Sequence, residues 1–209
     1  VEVMIAMDME RTDLHLYINL FGFNPKYGIS GCKIKGVHYL PQYYHDKKTA
    51  SLANIREDEH PCFLQLFGSE ERCIDYALKE LEEKFSPVGF DINMGCPMPK
   101  IANSGDGCGL MRTPELAGDI VRAVTKAVEV PVTVKCRLGW DKGSINVLDF
   151  TKRMEDNGAA MVAVHGRTRS MLYSGVADWD MITKAKQQLT IPVLANGDIV
   201  DGKSAVDCL

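Results

Sequence analysis

In this chain short apolar runs alternate with amphipathic helical stretches, and a polar residue recurs near the end of each run. That pattern constrains the fold more than any other feature. Apolar runs lie at 1–7, 62–67, 90–93, 130–135, 160–165 and 191–196. Between them come helical patterns. At 69–85, Ser69 can cap, Glu70 and Glu71 suit the first turn, and Ile74, Leu78 and Leu81 form an apolar stripe. Thr113-Pro114-Glu115 reads as a helix start with Thr113 as N-cap, followed by Leu116, Ile120, Val124 and Val128 at intervals of four. A helix at 147–157 is closed by Gly158, another spans 179–189, and one begins at 202. Strands alternating with helices mean βαβ units and a parallel sheet. Met161-Val162-Ala163-Val164 is apolar throughout, as burial on both faces requires. At 10–60, Gly22, Gly28, Gly31 and Gly36 interrupt the pattern, and no second strand is assigned there.

The polar residues of these runs are Gln65, Asn93, Lys135, His165 and Asn196, spaced 28, 42, 30 and 31 residues apart. A βαβ unit takes roughly 30 residues or more, so each unit delivers one polar group at its strand's C-terminal end. A single Lys or His after a strand is usually a solvated loop residue. Five in succession point instead to a shared site. In a (β/α)8 barrel the strand C-termini converge on one face, where the active site sits. A doubly wound sheet places ligands only at its switch point, so five polar tips favour the TIM barrel.

Composition narrows the function classes. The chain has 209 residues, 45% of them hydrophobic, enough for one sizeable core. No apolar run approaches the ~20 residues of a membrane span, and residues 1–9 lack the pattern of a signal peptide, so no membrane association is expected. Seven cysteines without a CxxC pair argue against a disulfide framework and a structural zinc site, and for a reducing, cytoplasmic setting; no metal is expected. A net charge of −4 counts mildly against a nucleic-acid partner but leaves room for a local basic rim.

Several segments carry chemistry. They are Gln65-Leu66-Phe67-Gly68; Asp91-Ile92-Asn93-Met94-Gly95-Cys96-Pro97 with Lys100 and Gly107-Cys108-Gly109-Leu110-Met111; Val132-Thr133-Val134-Lys135-Cys136-Arg137-Leu138-Gly139-Trp140; Val164-His165-Gly166-Arg167-Thr168-Arg169 with Tyr173 and Ala177-Asp178-Trp179; and Pro192-Val193-Leu194-Ala195-Asn196-Gly197-Asp198-Ile199. In this order and spacing they resemble tRNA-dihydrouridine synthases, from about residue 60 to the end. The N-terminus departs from that family, with Met7 standing where a flavin-contacting loop has proline. The family pattern continues past Leu209 into an eighth strand with a Gly-Arg phosphate loop and then a helical tRNA-binding domain. Residues 1–209 are therefore expected to form one FMN-binding TIM-barrel catalytic domain, truncated before the eighth strand.

The resemblance implies a flavoprotein oxidoreductase of tRNA processing, acting as a monomer on tRNA, with NADPH or NADH as reductant. Reduced FMN gives hydride to C6 of uracil, and Cys96 is implied as the catalytic acid that protonates C5. A thiol, ordinarily near ~8.5, holds its proton at neutral pH and can release it. Cofactor contacts are implied for Met7, Gln65, Asn93, Lys135, His165, Asn196, Gly197 and Asp198, with Lys135 stabilising an anionic reduced flavin. Arg137 and Arg167 are candidates for the uracil or RNA phosphates; Lys100 and Arg169 are either RNA contacts or solvated charges. Residues 98–112 are glycine-rich and read as a mobile loop beside the site. Two alternatives stay open: a dihydroorotate dehydrogenase-like FMN barrel acting on a free pyrimidine, and a degenerate flavin- or RNA-binding barrel without catalysis.

Overall fold

A computed structural model describes residues 4–6, 23–24, 28–29, 33–38, 61–69 and 74–208. Its strands are β1 (Met4–Ala6), β2 (Phe23–Asn24), β3 (Gly28–Ile29), β4 (Lys33–His38), β5 (Cys62–Phe67), β6 (Gly89–Met94), β7 (Val132–Cys136), β8 (Met161–His165) and β9 (Val193–Asn196). The helices are α1 (Ile74–Phe85), α2 (Pro99–Ala102), α3 (Pro114–Ala127), α4 (Val147–Asp156), α5 (Trp179–Gln188) and α6 (Gly202–Cys208), with a 3-10 turn at Gly107–Arg112.

One sheet holds seven strands in the order β1-β9-β8-β7-β6-β5-β4. From β4 to β9 every neighbouring pair is parallel. From β5 onward each strand is followed by a helical element that returns the chain, the α/β alternation expected from the apolar pattern. Strand β4 lies in residues 10–60, where the sequence assigns no second strand: Lys33–His38 pairs with all of β5, and Gly36 sits opposite Gln65 without breaking the ladder. Strand β1 falls within the run expected at 1–7, but it pairs antiparallel with β9, Ile5 opposite Ala195. No single βα unit links these two strands, so no crossover dictates direction. The edge of β9 offers backbone donors and acceptors that a strand of either direction can take up.

The core lies between the sheet and helices α1, α3, α4 and α5. Phe63, Leu64, Phe90, Leu78, Leu81 and Phe150 are completely buried. Burying such a side chain stabilises by roughly 1.5–3 kcal/mol. Strand β8 is buried at all five positions, which explains its unbroken apolar sequence. On α3 the buried residues include Ala117, Ile120, Val121, Val124 and Ala127, while Leu116 is only half-buried. A strict interval of four drifts off a helical face of 3.6-residue period, so 117 and 121 replace 116. Thr113 occupies the N-cap of α3 but makes no capping bond. Asp178 does cap α5, accepting from the Met181 N–H at 2.9 Å. Gly158, with φ of 100°, ends α4 as expected. Of the stripe expected on α1, Leu78 and Leu81 are buried; the first turn and the side chain of Ile74 lie outside the described residues.

Candidate active site

Across β5, β6 and β7 polar side chains form one continuous hydrogen-bonded chain that runs from the middle of the strands to the C-terminal end of β6. Asp91, 6% exposed, faces Gln65 across β5–β6 and Thr133 across β6–β7. Its carboxylate accepts from Thr133 Oγ1 and from Gln65 Nε2, each at 2.7 Å. Burial pushes the Asp91 carboxyl above its ordinary value, opposed by these two bonds and by the Lys135 charge. A carboxylate can only accept, so Gln65 must turn its NH2 toward Asp91 and its Oε1 outward. That Oε1 accepts from Asn93 Nδ2 at 3.0 Å. Asn93 is thereby oriented in turn, and its Oδ1 accepts the backbone N–H groups of Gly95 and Cys96, both at 3.0 Å. The buried acid thus fixes, through two amides, the backbone that carries Cys96. Each amide keeps one further N–H beyond those used in the chain.

The Cys96 segment is held from two further sides. Arg137, 2% exposed, donates from Nε to Gly95 O at 2.9 Å and from Nη1 to Thr168 O and Leu172 O at 3.2 and 2.8 Å. The Cys108 N–H donates to Cys96 O at 3.1 Å. Gly107 precedes it with φ of 52°, and a Cβ there would stand 2.9 Å from Cys96 Cβ and 3.1 Å from Ile101 Cγ2. Only glycine fits this left-handed, crowded position. Cys96 itself is half-buried. Its buried neighbour Cys108 has its thiol pushed up to about 11 by burial, against the pull of Arg137 and Arg169. Cys136, also buried, is pushed up to about 12.

On the other side, His165 stands opposite Asn196 in the β8–β9 ladder, and both are 3% exposed. Arg167, 5% exposed, donates to Ser174 O at 3.1 Å, to Gly175 O at 2.7 Å, to Asp198 Oδ1 at 2.6 Å and toward His165 Nε2 at 3.4 Å. The other Asp198 oxygen accepts the Ala177 N–H at 2.6 Å. Burial raises the Asp198 carboxyl, but the Ala177 N–H and the Arg167 guanidinium outweigh it and hold the group below its ordinary value. Gly197 O accepts from Trp179 Nε1 at 2.9 Å. A hollow near the start of α5, lined by Val176, Trp179, Asp178, Asp180 and Asp198, carries three carboxylates and suits no anion.

The structure therefore brings Gln65, Asn93 and Cys96 into one network, sets Lys135 opposite Asn93, and groups His165, Arg167, Asn196, Gly197 and Asp198. Lys100 is exposed on α2, and Met7 lies outside the described residues. Asp91 and Thr133 stand in the chemistry-bearing segments but received no site role, because they sit inside apolar runs; a charged Asp91 within such a run, two residues before Asn93, was the available signal. Residues 98–112 are not the mobile loop expected. They fold as α2 and the 3-10 turn, with Ala102, Cys108, Leu110 and Met111 at 1% exposure or less, and Asn146 Nδ2 ties Met111 O down at 2.7 Å. Apolar residues among the glycines supply the burial that holds the segment. Among the described residues there is no cluster able to hold a metal ion, and no helix is long and apolar enough to cross a membrane.

Parallel strands that bring a thiol, a lysine and oriented amides to one end of the sheet define a (β/α)-barrel type of active-site layer. The dihydrouridine synthase (Dus) family model matches residues 35–209. The chain belongs to that family, whose fold is the TIM barrel, and the β4–β9 sheet is part of such a barrel. It is 45% identical over 171 residues to a probable tRNA-dihydrouridine synthase 1 of Synechocystis sp., covering 80% of this chain and 47% of that relative. It is 42% identical over 161 residues to tRNA-dihydrouridine synthase B of Pseudomonas putida, covering 77% and 48%. A probable tRNA-dihydrouridine synthase of Rhizobium leguminosarum is 41% identical over 149 residues, covering 71% and 47%. The chain spans about half the length of these curated relatives.

Proposed function

We propose that this chain carries the catalytic barrel of a tRNA-dihydrouridine synthase and reduces uridine in tRNA to 5,6-dihydrouridine, with FMN as cofactor and NADPH or NADH as reductant. The observation that carries the reading is the position of Cys96: a half-buried thiol on a backbone oriented by Asn93 at the tip of β6, with Lys135 on the next strand. The donor set fits a flavin ring. Gln65 and Asn93 each keep an N–H for ring acceptors, and Lys135 brings a cation to the same edge. When bound, reduced FMN supplies the hydride to C6 of the uracil.

The chain's own residues do the rest. Cys96 gives its proton to C5. Asn93 holds the Cys96 backbone while its remaining N–H faces ring or uracil acceptors. Lys135 stabilises negative charge that develops on the cofactor. Arg137 and Arg167 position the loops around the site, and His165, Asn196 and Gly197 offer polar groups on the β8–β9 side. The relatives' names support tRNA as substrate, and seven cysteines without a CxxC pair are in keeping with a reducing, cytoplasmic setting. The test is spectroscopic. The purified protein should show flavin absorption, bleach with NADPH, and recover its colour when tRNA lacking dihydrouridine is added. Protein that binds no flavin, or that tRNA fails to reoxidise, would refute the reading.

A further inference from the structure

Two guanidinium groups in the layer that carries Cys96 are left over by the fold. Arg112 ends the 3-10 turn with its Cζ 4.8 Å from the centre of the Trp140 ring, and Arg169 Cζ lies 4.5 Å from the same centre. Among the described residues neither makes an ion pair, and Arg169 Nε is buried with no hydrogen-bond partner. Two like charges on one indole repel each other, so the arrangement calls for an anion. Stacking uses the flat face of a guanidinium and leaves its in-plane N–H fork for oxygen acceptors. Forks of this kind match phosphate groups.

The location is as informative as the chemistry. The Arg169 N–H donates to Gly139 O at 2.9 Å and the Ser170 N–H to Trp140 O at 3.0 Å, which zips the β8 loop to the β7 loop. Arg112 closes the segment whose Cys108 N–H holds Cys96 O at 3.1 Å. We propose that Arg112 and Arg169, braced on Trp140, clamp the phosphate backbone of the RNA that presents uridine to Cys96. The proposal rests on the tRNA-dihydrouridine synthase reading. It also places a local basic site on a chain whose net charge is −4.

The test is the salt dependence of tRNA binding, read by fluorescence anisotropy of labelled tRNA with the full chain between low and moderate salt. Each phosphate contact contributes roughly 0.7–0.9 to the slope of log affinity against log salt. R112Q and R169Q should each lower that slope by about one contact, and the double variant by about two, with Lys at the same positions preserving it. Gln variants that melt at lower temperature but keep the wild-type slope and affinity would show that the arginines only pin loops, and would overturn the clamp. Arg112 is exposed, so R112Q keeps the test valid even where R169Q fails to fold. Wild-type protein that binds no tRNA would sink the tRNA reading and the clamp together, whereas binding with unchanged slopes in the variants would sink the clamp alone.

Discussion

Arg137 and Arg167 on one side, and Arg112 and Arg169 on the other, occupy the same layer of loops yet meet different partners. The first two are 2% and 5% exposed, and their donors point at backbone carbonyls of neighbouring loops. The second two lie over an indole and make no ion pair among the described residues. The contrast teaches that an arginine near a site is read by its acceptors. Backbone carbonyls from neighbouring loops make it a strap for those loops. Arg137 also lies over a ring, Tyr173 at 5.7 Å, so it is the acceptors and not the stacking that tell the pairs apart. A stacked guanidinium with no carbonyl acceptor among the described residues leaves its fork open for something that arrives from outside. On this reading Arg137 and Arg167, whose sequence context pointed to uracil or phosphate, act by holding the loops that carry Cys96 and Tyr173.

The largest effect is expected at Arg137. Arg137→Ala leaves the carbonyls of Gly95, Thr168 and Leu172 without this donor inside the protein, and should cost about 3–4 kcal/mol. A urea midpoint that falls accordingly at unchanged slope supports the strap; a shift under about 1 kcal/mol would break the comparison. Arg137→Lys should not restore stability, because an ammonium cannot span the three acceptors.

Arg167→Ala should cost less, about 2 kcal/mol, since Asp198 is partly exposed and keeps its bond from the Ala177 N–H. This cost depends on pH. The folded Asp198 carboxyl lies below its ordinary 3.8, so its contribution is present above that value and is lost as pH falls through the folded value. The gap between wild type and Arg167→Ala, followed by urea midpoints from pH 7 to pH 3, should therefore narrow on acidification. A gap that widens would show that Asp198 is not the partner that matters. The smallest effect belongs to Arg112→Gln, which should change stability by less than ~0.5 kcal/mol because the side chain is exposed and stacked rather than buried. A loss as large as that of Arg167→Ala would erase the distinction between the two pairs.

The parts of the fold visible in the sequence are those where burial on both faces leaves a continuous apolar run. Strand β5 falls at 62–67 and β8 within 160–165, and the polar tips Asn93, Lys135, His165 and Asn196 lie in the last two residues of their strands. Strand β4 was hidden because Lys33, Lys35 and Gly36 dilute its pattern; pairing with β5 holds it extended where local preference does not. The direction of β1 could not be read at all, since nothing local fixes which edge it takes. Within the site, Cys96 was legible from its motif, but its support was not. Asp91 reaches Cys96 through Gln65, 26 residues away in sequence, and then Asn93, and no spacing rule reports such a chain. The indole shared by Arg112 and Arg169 joins three loops and is equally invisible in one dimension.

All of these supports converge on one thiol, so the most direct measurement is made on it. Cys96→Ala protein should bind flavin and be reduced by NADPH at the wild-type rate. In a single turnover with tRNA lacking dihydrouridine, its reoxidation should fall by about 10²–10⁴, the usual contribution of a positioned general acid. Dihydrouridine formed by Cys96→Ala as fast as by wild type would contradict the account at its centre.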